Sequence, residues 1–156
     1  MIHATKVGFC ALLTIFLLCL LSSEINDSIF LIGSFGATMV LLFGVPESPF
    51  SQPKNIFFGH FLTALVGIVL VMVLKIPTYY LIPLSVGIGI FLMLITNTTH
   101  PPAGGNPIII IEKGDVATFS FLLDPIIYSC SLIIIFGIVL NRLILKSKYP
   151  KIIKTS

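Results

Sequence analysis

Hydrogen-bond donors occur at three places in this apolar sequence where glycine or proline interrupts a helix-forming stretch. Residues 33–38 hold two glycines and two hydroxyl side chains, residues 46–55 are rich in proline, and residues 96–107 combine three prolines with two glycines. Glu47 is the only carboxylate near these segments. Donors without opposing carboxylates favour an anion as ligand, because a cation path would be expected to contain intramembrane Asp or Glu.

Segment 46–55 brings Lys54 and Asn55 to the start of a predicted helix, and His60 follows in its second turn. Three prolines prevent a helix before Pro53, so the segment is predicted to be a rigid, extended connector. Helix N-termini carry partial positive charge and unpaired N–H groups, so they hold anions. An ionisable residue such as His60 in an apolar span indicates a functional site. The alternative is a histidine that is hydrogen-bonded to another helix.

The other two segments each have a functional and a structural interpretation. Residues 96–107 favour either a re-entrant loop that borders a cavity or an ordinary extramembrane loop. In the first case Gly104 and Gly105 would adopt positive φ and form an anion-binding nest of N–H groups. Residues 33–38 favour either close helix packing through the Gly33/Ala37 pair or a local helix break that presents N–H groups to a ligand.

Together the three segments define one candidate anion site. We expect the start of the third helix and the loop at His100 to lie against each other, with the glycine break of the second helix completing the wall. No motif predicts catalytic residues, a metal site or a cofactor, so no enzymatic activity is expected. The predicted ligand-binding residues are Ser34, Gly36, Thr38, Gln52, Lys54, Asn55, His60, Thr99, His100, Gly104, Gly105 and Asn106.

The elements that must position these residues are membrane helices. Of the 156 residues, 56% are hydrophobic and 10% are charged, against roughly 25% charged in soluble domains. A helix needs about 20 mainly apolar residues to cross the bilayer. We therefore predict an all-α polytopic membrane bundle with about five transmembrane segments (four to five), forming a single domain over residues 1–156. The apolar blocks are residues 7–21, 29–45, 57–74, 79–95 and 126–145.

Basic residues predict the orientation of the chain. Five of the nine, from Arg142 to Lys154, lie at or beyond the end of the last block, and such residues stay on the cytoplasmic side. The tail, residues 146–156, is therefore predicted to be cytoplasmic in a protein of the cell (inner) membrane. With five spans the N-terminus and loop 47–54 would lie outside, and Lys75 inside. The tail is either a topology signal alone or a binding site for anionic lipid headgroups.

Three ordered motifs resemble the HPP family of integral membrane proteins. They are Gly36-Ala37-Thr38 with Phe43-Gly44-x-Pro46, then Ser48-Pro49-x-x-Gln52-Pro53-x-Asn55-x-x-x-Gly59-His60, and finally Thr99-His100-Pro101-Pro102-Ala103-Gly104. The resemblance covers residues from about 30 to 145 and implies about four spanning helices. Members in plant chloroplasts and photosynthetic bacteria look like nitrite transporters, so the resemblance implies a small monovalent anion as substrate. Lys54 stands where many members carry Arg, which removes planar bidentate donation to an oxyanion.

Three classes of function are open from the sequence. The donor-rich segments and the resemblance favour a transporter or channel for a small monovalent, nitrite-like anion. A non-transporting accessory subunit of a larger membrane complex is the first alternative, with no flux when reconstituted alone. A membrane-embedded enzyme is the second, because two histidines could serve as acid–base groups.

The expected partners are the lipid bilayer, a small inorganic anion and a second copy of this chain, and no nucleic acid. A homo-oligomer, most simply a C₂ dimer, is expected because one small bundle has little interior in which to bury a polar site. The small-residue stripes offer additional packing faces for such a dimer. These stripes are Gly33/Ala37, Gly59/Thr63/Gly67 and Ser85/Gly89.

Overall fold

The protein is a helical bundle. Its computed structural model describes residues 1–24, 31–114 and 118–151. Across these ranges the chain contains helices and turns and no strand. Short helical turns lie at Val40–Gly44, Pro49–Ser51, Pro101–Gly105, Leu122–Ile127 and Asn141–Leu145. The longer helices are α1 (Ile2–Glu24), α2 (Gly33–Met39), α3 (Pro53–Val73), α4 (Thr78–Ile95), α5 (Asn106–Lys113) and α6 (Tyr128–Leu140).

Four helices of the described chain are long and apolar enough to cross a membrane, namely Ile2–Ser22, Pro53–Val73, Thr78–Ile95 and Leu122–Leu143. The predicted all-α membrane bundle is confirmed, with a helix count at the lower end of the predicted range. The second block was expected to span, but its described helix is only Gly33–Gly44. At 1.5 Å per residue it covers about 18 Å, too short for a core of about 30 Å.

The predicted break at the glycines of α2 does not occur. α2 begins at Gly33 and runs through Gly36 without interruption. Both glycines are exposed, and a Cβ added at either would meet nothing within 4 Å. The exposed glycines therefore lie on the outer face of the helix, while Ser34 and Thr38 lie on its buried face.

Helix α2 instead changes geometry in its last turn, the π-helical turn Val40–Gly44. Polar side chains bond to two carbonyl groups in this turn, and one of them, Leu41 O, also accepts from the Val45 amide. Ser51 Oγ donates to Leu41 O at 3.0 Å, and Asn141 Nδ2 donates to Leu42 O at 3.1 Å. The end of α2 is thus attached to both the following connector and the last helix.

The connector between α2 and α3 is compact, which corrects the prediction of an extended segment. Residues Pro49–Ser51 form a 3₁₀ turn, and Ser48 Oγ accepts a hydrogen bond from the Phe50 amide. Gln52 Nε2 donates to Pro46 O at 2.9 Å and to Ser48 O at 2.8 Å. Proline still prevents a longer helix, so α3 begins at Pro53 as predicted.

The C-terminal tail packs against this connector. Tyr149 is buried, and its hydroxyl donates to Ser51 O at 2.7 Å. The Lys151 amide donates to Gln52 Oε1 at 2.8 Å, and Lys151 Nζ lies 3.6 Å from Glu47 Oε2. The predicted placement of the tail and loop 47–54 on opposite sides of the membrane is therefore wrong. Both lie at one end of the bundle, here called the connector end.

The two segments were predicted on opposite sides because the prediction did not include a stretch of chain that crosses the bundle between α4 and α6. The end of α4 lies at the connector end, where Asn55 Nδ2 donates to Thr99 O. The spanning helix Leu122–Leu143 also finishes there, because Asn141 bonds to the end of α2. The chain between residues 100 and 121 must therefore pass from one end of the bundle to the other.

This crossing segment enters the bundle alongside α3. A Cβ added at Gly59 would lie 2.7 Å from His100 Cβ, and one added at Gly67 would lie 3.1 Å from Pro107 Cα. Residues 100–107 thus follow α3 from its second turn to beyond its middle. The segment therefore packs inside the bundle, as a re-entrant loop would, but it continues to the opposite end and does not return to the side from which it entered. Its irregular backbone lies against α3 at membrane depth, where protein can cover it.

The small-residue stripes of α3 and α4 serve this packing within one chain. Gly59 and Gly67 admit the crossing segment, and a Cβ added at Gly89 would lie 3.2 Å from Thr63 Cγ2. These stripes were expected to help form a dimer, but their close contacts are intramolecular. Gly33 and Ala37 remain as an exposed small-residue pair.

We expect Gly59→Ala to destabilise the protein by about 1–3 kcal/mol, because the added methyl overpacks the contact with His100. Gly87→Ala in α4 is the matched control, since a Cβ there meets nothing within 4 Å. Alanine has the higher helix propensity, so the control should be neutral or up to about 1 kcal/mol more stable. Thermal unfolding of both variants in mild detergent measures the difference, and equal stabilities would contradict the packing described for Gly59.

Candidate functional site

Five polar side chains from four parts of the fold meet inside the bundle. Ser34 and Thr38 come from α2, His60 from α3, His100 from the loop after α4, and Asn106 from the start of α5. Ser34 is 7% exposed and the other four are 0% exposed. All five were predicted site residues, and we call them the polar cluster.

Thr38 joins the two histidines of the cluster. Its Oγ1 lies 3.0 Å from His60 Nε2 and 2.9 Å from His100 Nε2. The same oxygen is 3.1 Å from Ser34 O, one helical turn earlier. The two imidazole ring centres are 5.0 Å apart. One hydroxyl group therefore links α2 to both α3 and the loop.

Asn106 links the start of α5 to α2 and α3. Ser34 Oγ donates to Asn106 Oδ1 at 2.7 Å. The amide nitrogen Nδ2 lies 3.1 Å from His60 O, 3.0 Å from His60 Nδ1 and 3.1 Å from Thr63 Oγ1. A carbonyl oxygen can only accept, so the contact with His60 O identifies this end of the amide as the donor.

The partners of each imidazole determine where its proton lies. His100 Nδ1 is 2.7 Å from Phe50 O, so Nδ1 carries the hydrogen. Burial lowers the pKa of His100, which lies outside the four spanning helices, to about 4, although the bond to Phe50 O opposes the shift. The ring is therefore neutral at pH 7, and its Nε2 accepts the Thr38 hydroxyl hydrogen. His60 Nδ1 accepts from Asn106, so the hydrogen of His60 is on Nε2.

These assignments give a chain of hydrogen bonds that runs from Ser34 to the Phe50 carbonyl. Ser34 donates to Asn106, Asn106 to His60, His60 to Thr38, and His100 to the Phe50 carbonyl. Thr38 has a single hydroxyl hydrogen, which Ser34 O and His100 Nε2 share. An acceptor that replaced the Thr38 oxygen would receive the hydrogen of His60 Nε2, which suits an anion better than a cation.

Helix α2 begins at this cluster, and α5 continues from the 3₁₀ turn beside it. Ser34 is the second residue of α2, which has no side-chain N-cap. Asn106 is the first residue of α5, but its backbone N–H group donates to Ala103 O in the preceding turn. The Ser34–Asn106 hydrogen bond therefore joins the N-terminus of α2 to the helical segment that begins at Pro101. A helix N-terminus carries partial positive charge, so the dipole of α2 adds to the donor character of the cluster.

Four of the predicted site residues lie around the cluster but outside it. Asn55 Nδ2 bonds to the backbone oxygen of Thr99, so this pair attaches α3 to the loop. Gln52 stabilises the connector and contacts the tail. Lys54 is exposed on the surface of α3. Gly36, a fifth residue, lies on the outer face of α2, away from the cluster.

The predicted nest at Gly104 and Gly105 is wrong. Positive φ among the described residues occurs at Asn97, Lys146 and Gly114. Gly105 has φ −79° and ψ −16°, which is right-handed helical geometry. The glycines continue the 3₁₀ turn Pro101–Gly105 directly into α5, so their backbone does not alternate in the way that a nest requires.

Thr63 and the Phe50 carbonyl belong to the site and were missed as ligands. Thr63 Oγ1 accepts from Asn106 and lies three residues after His60, on the same helix face, so its spacing could have identified it. The carbonyl of Phe50 gives no side-chain signal in a sequence. Within the described ranges, His, Cys, Asp and Glu side chains form no group of three that could hold a metal ion.

The chain has recognisable relatives among known proteins. The family profile described as "HPP, transmembrane region" matches residues 1–150, so the match includes α1. Two transmembrane proteins of Dictyostelium discoideum are 37% identical over 125 residues and 32% identical over 130 residues. These matches cover 77% and 80% of this chain but 44% and 42% of the relatives, so the chain spans less than half of their length. No solved structure matches.

We expect Thr38→Val to lower the stability of the protein by about 2 kcal/mol or more, because two buried imidazole nitrogens lose their partner. Thr14→Val is the matched control. Thr14 is also fully buried, but among the described residues its hydroxyl bonds only to Cys10 O within α1, so the cost should be about 1 kcal/mol or less. Chemical or thermal unfolding in detergent compares them. A Thr38→Val variant as stable as the control would show that the bridge contributes little.

Proposed function

Because the chain belongs to the HPP family of transmembrane proteins, we propose that it is a transporter or channel for a small monovalent anion such as nitrite. The observation that carries the proposal is the meeting of the α2 N-terminus with two histidines and Asn106 inside a membrane bundle. Transporters use the N-termini of discontinuous helices in this way to hold anionic substrate groups near the middle of the membrane. The proposal assigns no catalytic role to the cluster.

The charges of the cluster support an anion in preference to a cation. Its members offer O–H and N–H donors from Ser34, Thr38, His60 and Asn106, and none of them is a carboxylate. Intramembrane sites for cations ordinarily contain Asp or Glu. Several moderate donors also suit transport, since a transported ion must leave the site as well as enter it.

The cluster as described is closed, because its groups bond to one another. We propose that a small anion takes the place of the Thr38 oxygen as the acceptor of the His60 Nε2–H group, and that His100 takes up a proton beside the anion so that its Nε2 donates as well. The Ser34 hydroxyl, one helical turn before Thr38, would supply a further donor. Movement of α2 relative to α3 would break the Thr38 bridge and admit the ion. The closed arrangement is then the state in which the polar cluster is open to neither side of the membrane.

Because the connector and the tail lie at the same end of the bundle, the orientation that we propose differs from the one predicted from the sequence. The connector end carries most of the basic residues at helix ends, whereas Lys75 lies at the opposite end of α3. Basic residues near helix ends are retained in the cytoplasm. We therefore propose an inner-membrane protein with both the tail and loop 47–54 in the cytoplasm. The basic residues at the connector end are Lys54, Arg142, Lys146, Lys148 and Lys151.

A homodimer is also part of the proposal. The exposed small-residue face of α2, with Gly33, Gly36 and Ala37, would allow the same helix of a second copy to approach closely. A two-fold axis along this face is the simplest closed symmetry. Such a dimer would place the two polar clusters on opposite sides of paired α2 helices.

Nitrite flux into liposomes containing the purified protein tests the function. We expect Ser34→Ala and His60→Asn to reduce the rate about tenfold or more, since each removes a donor to a charged ligand. Ser131→Ala is the control, because in the described part of the chain the Ser131 hydroxyl bonds only to Ile127 O, one helical turn earlier. Circular dichroism and gel filtration must first show that all variants are folded.

Two outcomes would contradict the proposal. Wild-type rates in folded Ser34→Ala and His60→Asn would exclude the polar cluster as the site. Absence of nitrite, nitrate and chloride flux with the wild-type protein would instead favour the accessory-subunit alternative.

Cysteine labelling in whole cells tests the orientation. We expect Glu47→Cys and Ser147→Cys to react with a membrane-impermeant maleimide only after permeabilisation, because both lie at the proposed cytoplasmic end. Lys75→Cys should react in intact cells. The background protein lacks Cys10, Cys19 and Cys130, each replaced by Ala. If one of positions 47 and 147 reacted in intact cells and the other only after permeabilisation, the two would not lie at the same end of the bundle. If both reacted in intact cells and position 75 did not, only the cytoplasmic assignment would be contradicted.

A further inference from the structure

A cationic cavity follows the last spanning helix at the connector end. The π-helical turn Asn141–Leu145 stops at Lys146, which has left-handed geometry with φ 57°. The chain then reverses, and the Ser147 amide donates to Asn141 O at 2.9 Å. The reversal, here called the tail turn (residues 142–150), borders a cavity of about 440 Å³ that is open to the surface. Its lining residues are Arg142, Lys146, Ser147, Lys148, Tyr149 and Pro150.

The lining combines three cations with no carboxylate. Arg142, Lys146 and Lys148 are exposed, and none of them forms an ion pair within the part of the chain that the structure describes. Arg142 Nε donates to Tyr149 O at 2.9 Å, which holds the guanidinium at the cavity. The Ser147 hydroxyl adds a neutral donor. A ligand with several negatively charged oxygens, such as a phosphate group, matches these donors.

The position of the cavity relative to the membrane limits the source of such a group. The last spanning helix ends at Leu143, so the tail turn lies at the level of the lipid headgroups. Basic clusters directly beside a membrane helix attract anionic lipids. We propose that the tail turn binds a phosphate group, supplied by an anionic phospholipid headgroup or by free phosphate in the adjoining solution. The site needs no transport activity.

Hydrogen bonds connect this site to the polar cluster. Tyr149 is 1% exposed, and its hydroxyl donates to the Ser51 carbonyl. Phe50, the preceding residue, provides the carbonyl that accepts from His100 Nδ1. A phosphate that orders the tail turn therefore also orders the connector and the position of His100. Occupancy of the tail turn should favour the closed polar cluster.

Lipid binding measured by native mass spectrometry in uncharged detergent tests the site. We expect phosphatidylglycerol to bind the wild-type protein more tightly than phosphatidylcholine does. Lys146→Gln/Lys148→Gln should bind it roughly 25-fold more weakly, since each basic residue near an anionic surface contributes about fivefold. This variant keeps Arg142 and its bond to Tyr149. Lys151→Gln is the control, because Lys151 pairs with Glu47 and does not line the cavity.

Two further ligands distinguish the source and the chemistry. Competition by inorganic phosphate at millimolar concentration would identify free phosphate as a ligand of the same site. Oleate carries a carboxylate on a similar chain, and binding of oleate as tight as that of phosphatidylglycerol would overturn phosphate recognition. Equal affinity of wild-type protein and the double lysine variant would overturn the site itself.

Hydrogen–deuterium exchange tests the connection to the connector. We expect phosphatidylglycerol to slow exchange in residues 46–52 of the wild-type protein. In Tyr149→Phe the lipid should still bind but should no longer slow this exchange, because the bond to Ser51 is lost. Lipid binding that leaves residues 46–52 unchanged in the wild-type protein would overturn the connection.

Discussion

The hydroxyl group of Thr38 is the point at which three segments of the bundle meet through hydrogen bonds. It accepts from His60 and shares its hydrogen between His100 and Ser34 O, so it joins α2, α3 and the loop after α4. In a membrane interior an unpaired polar group costs several kcal/mol, so an arrangement that pairs these groups with one another is strongly favoured. The short α2 and α5 and the crossing segment are positioned around this requirement.

The same requirement extends from the bundle interior to the end of the chain. Ser51 and Asn141 donate to carbonyl groups of the π-helical turn Val40–Gly44. Ser51 in turn accepts from Tyr149. The connector is consequently held by the tail on one side and by His100 on the other. A change at the membrane surface can reach the polar cluster through a few hydrogen bonds.

Much of the fold could be predicted because its signals are local. Long apolar blocks identified the spanning helices, and Pro53 marked the start of α3. The polar cluster could be predicted in composition, since Ser34, Thr38, His60, His100 and Asn106 are polar residues in apolar surroundings. Gly36 and Lys54 belong to the same sequence segments, but both are exposed and lie outside the polar cluster. A helix turns by about 100° per residue, so adjacency in a motif does not establish that two side chains share a face.

The sequence by itself determined that this is a helical membrane protein and which segments are unusual within it. Only the tertiary structure decided how those segments are used. The predicted number of spanning helices, four to five, is confirmed, but the crossing between residues 100 and 121 was not predicted, because its described part contains no helix long enough to span. That omission placed the tail opposite loop 47–54. Gly104 and Gly105 permit a nest, yet the turn before α5 holds Gly105 in right-handed geometry. Glycine is compatible with several backbone conformations, and contacts between distant residues such as Ser34 and Asn106 select one of them.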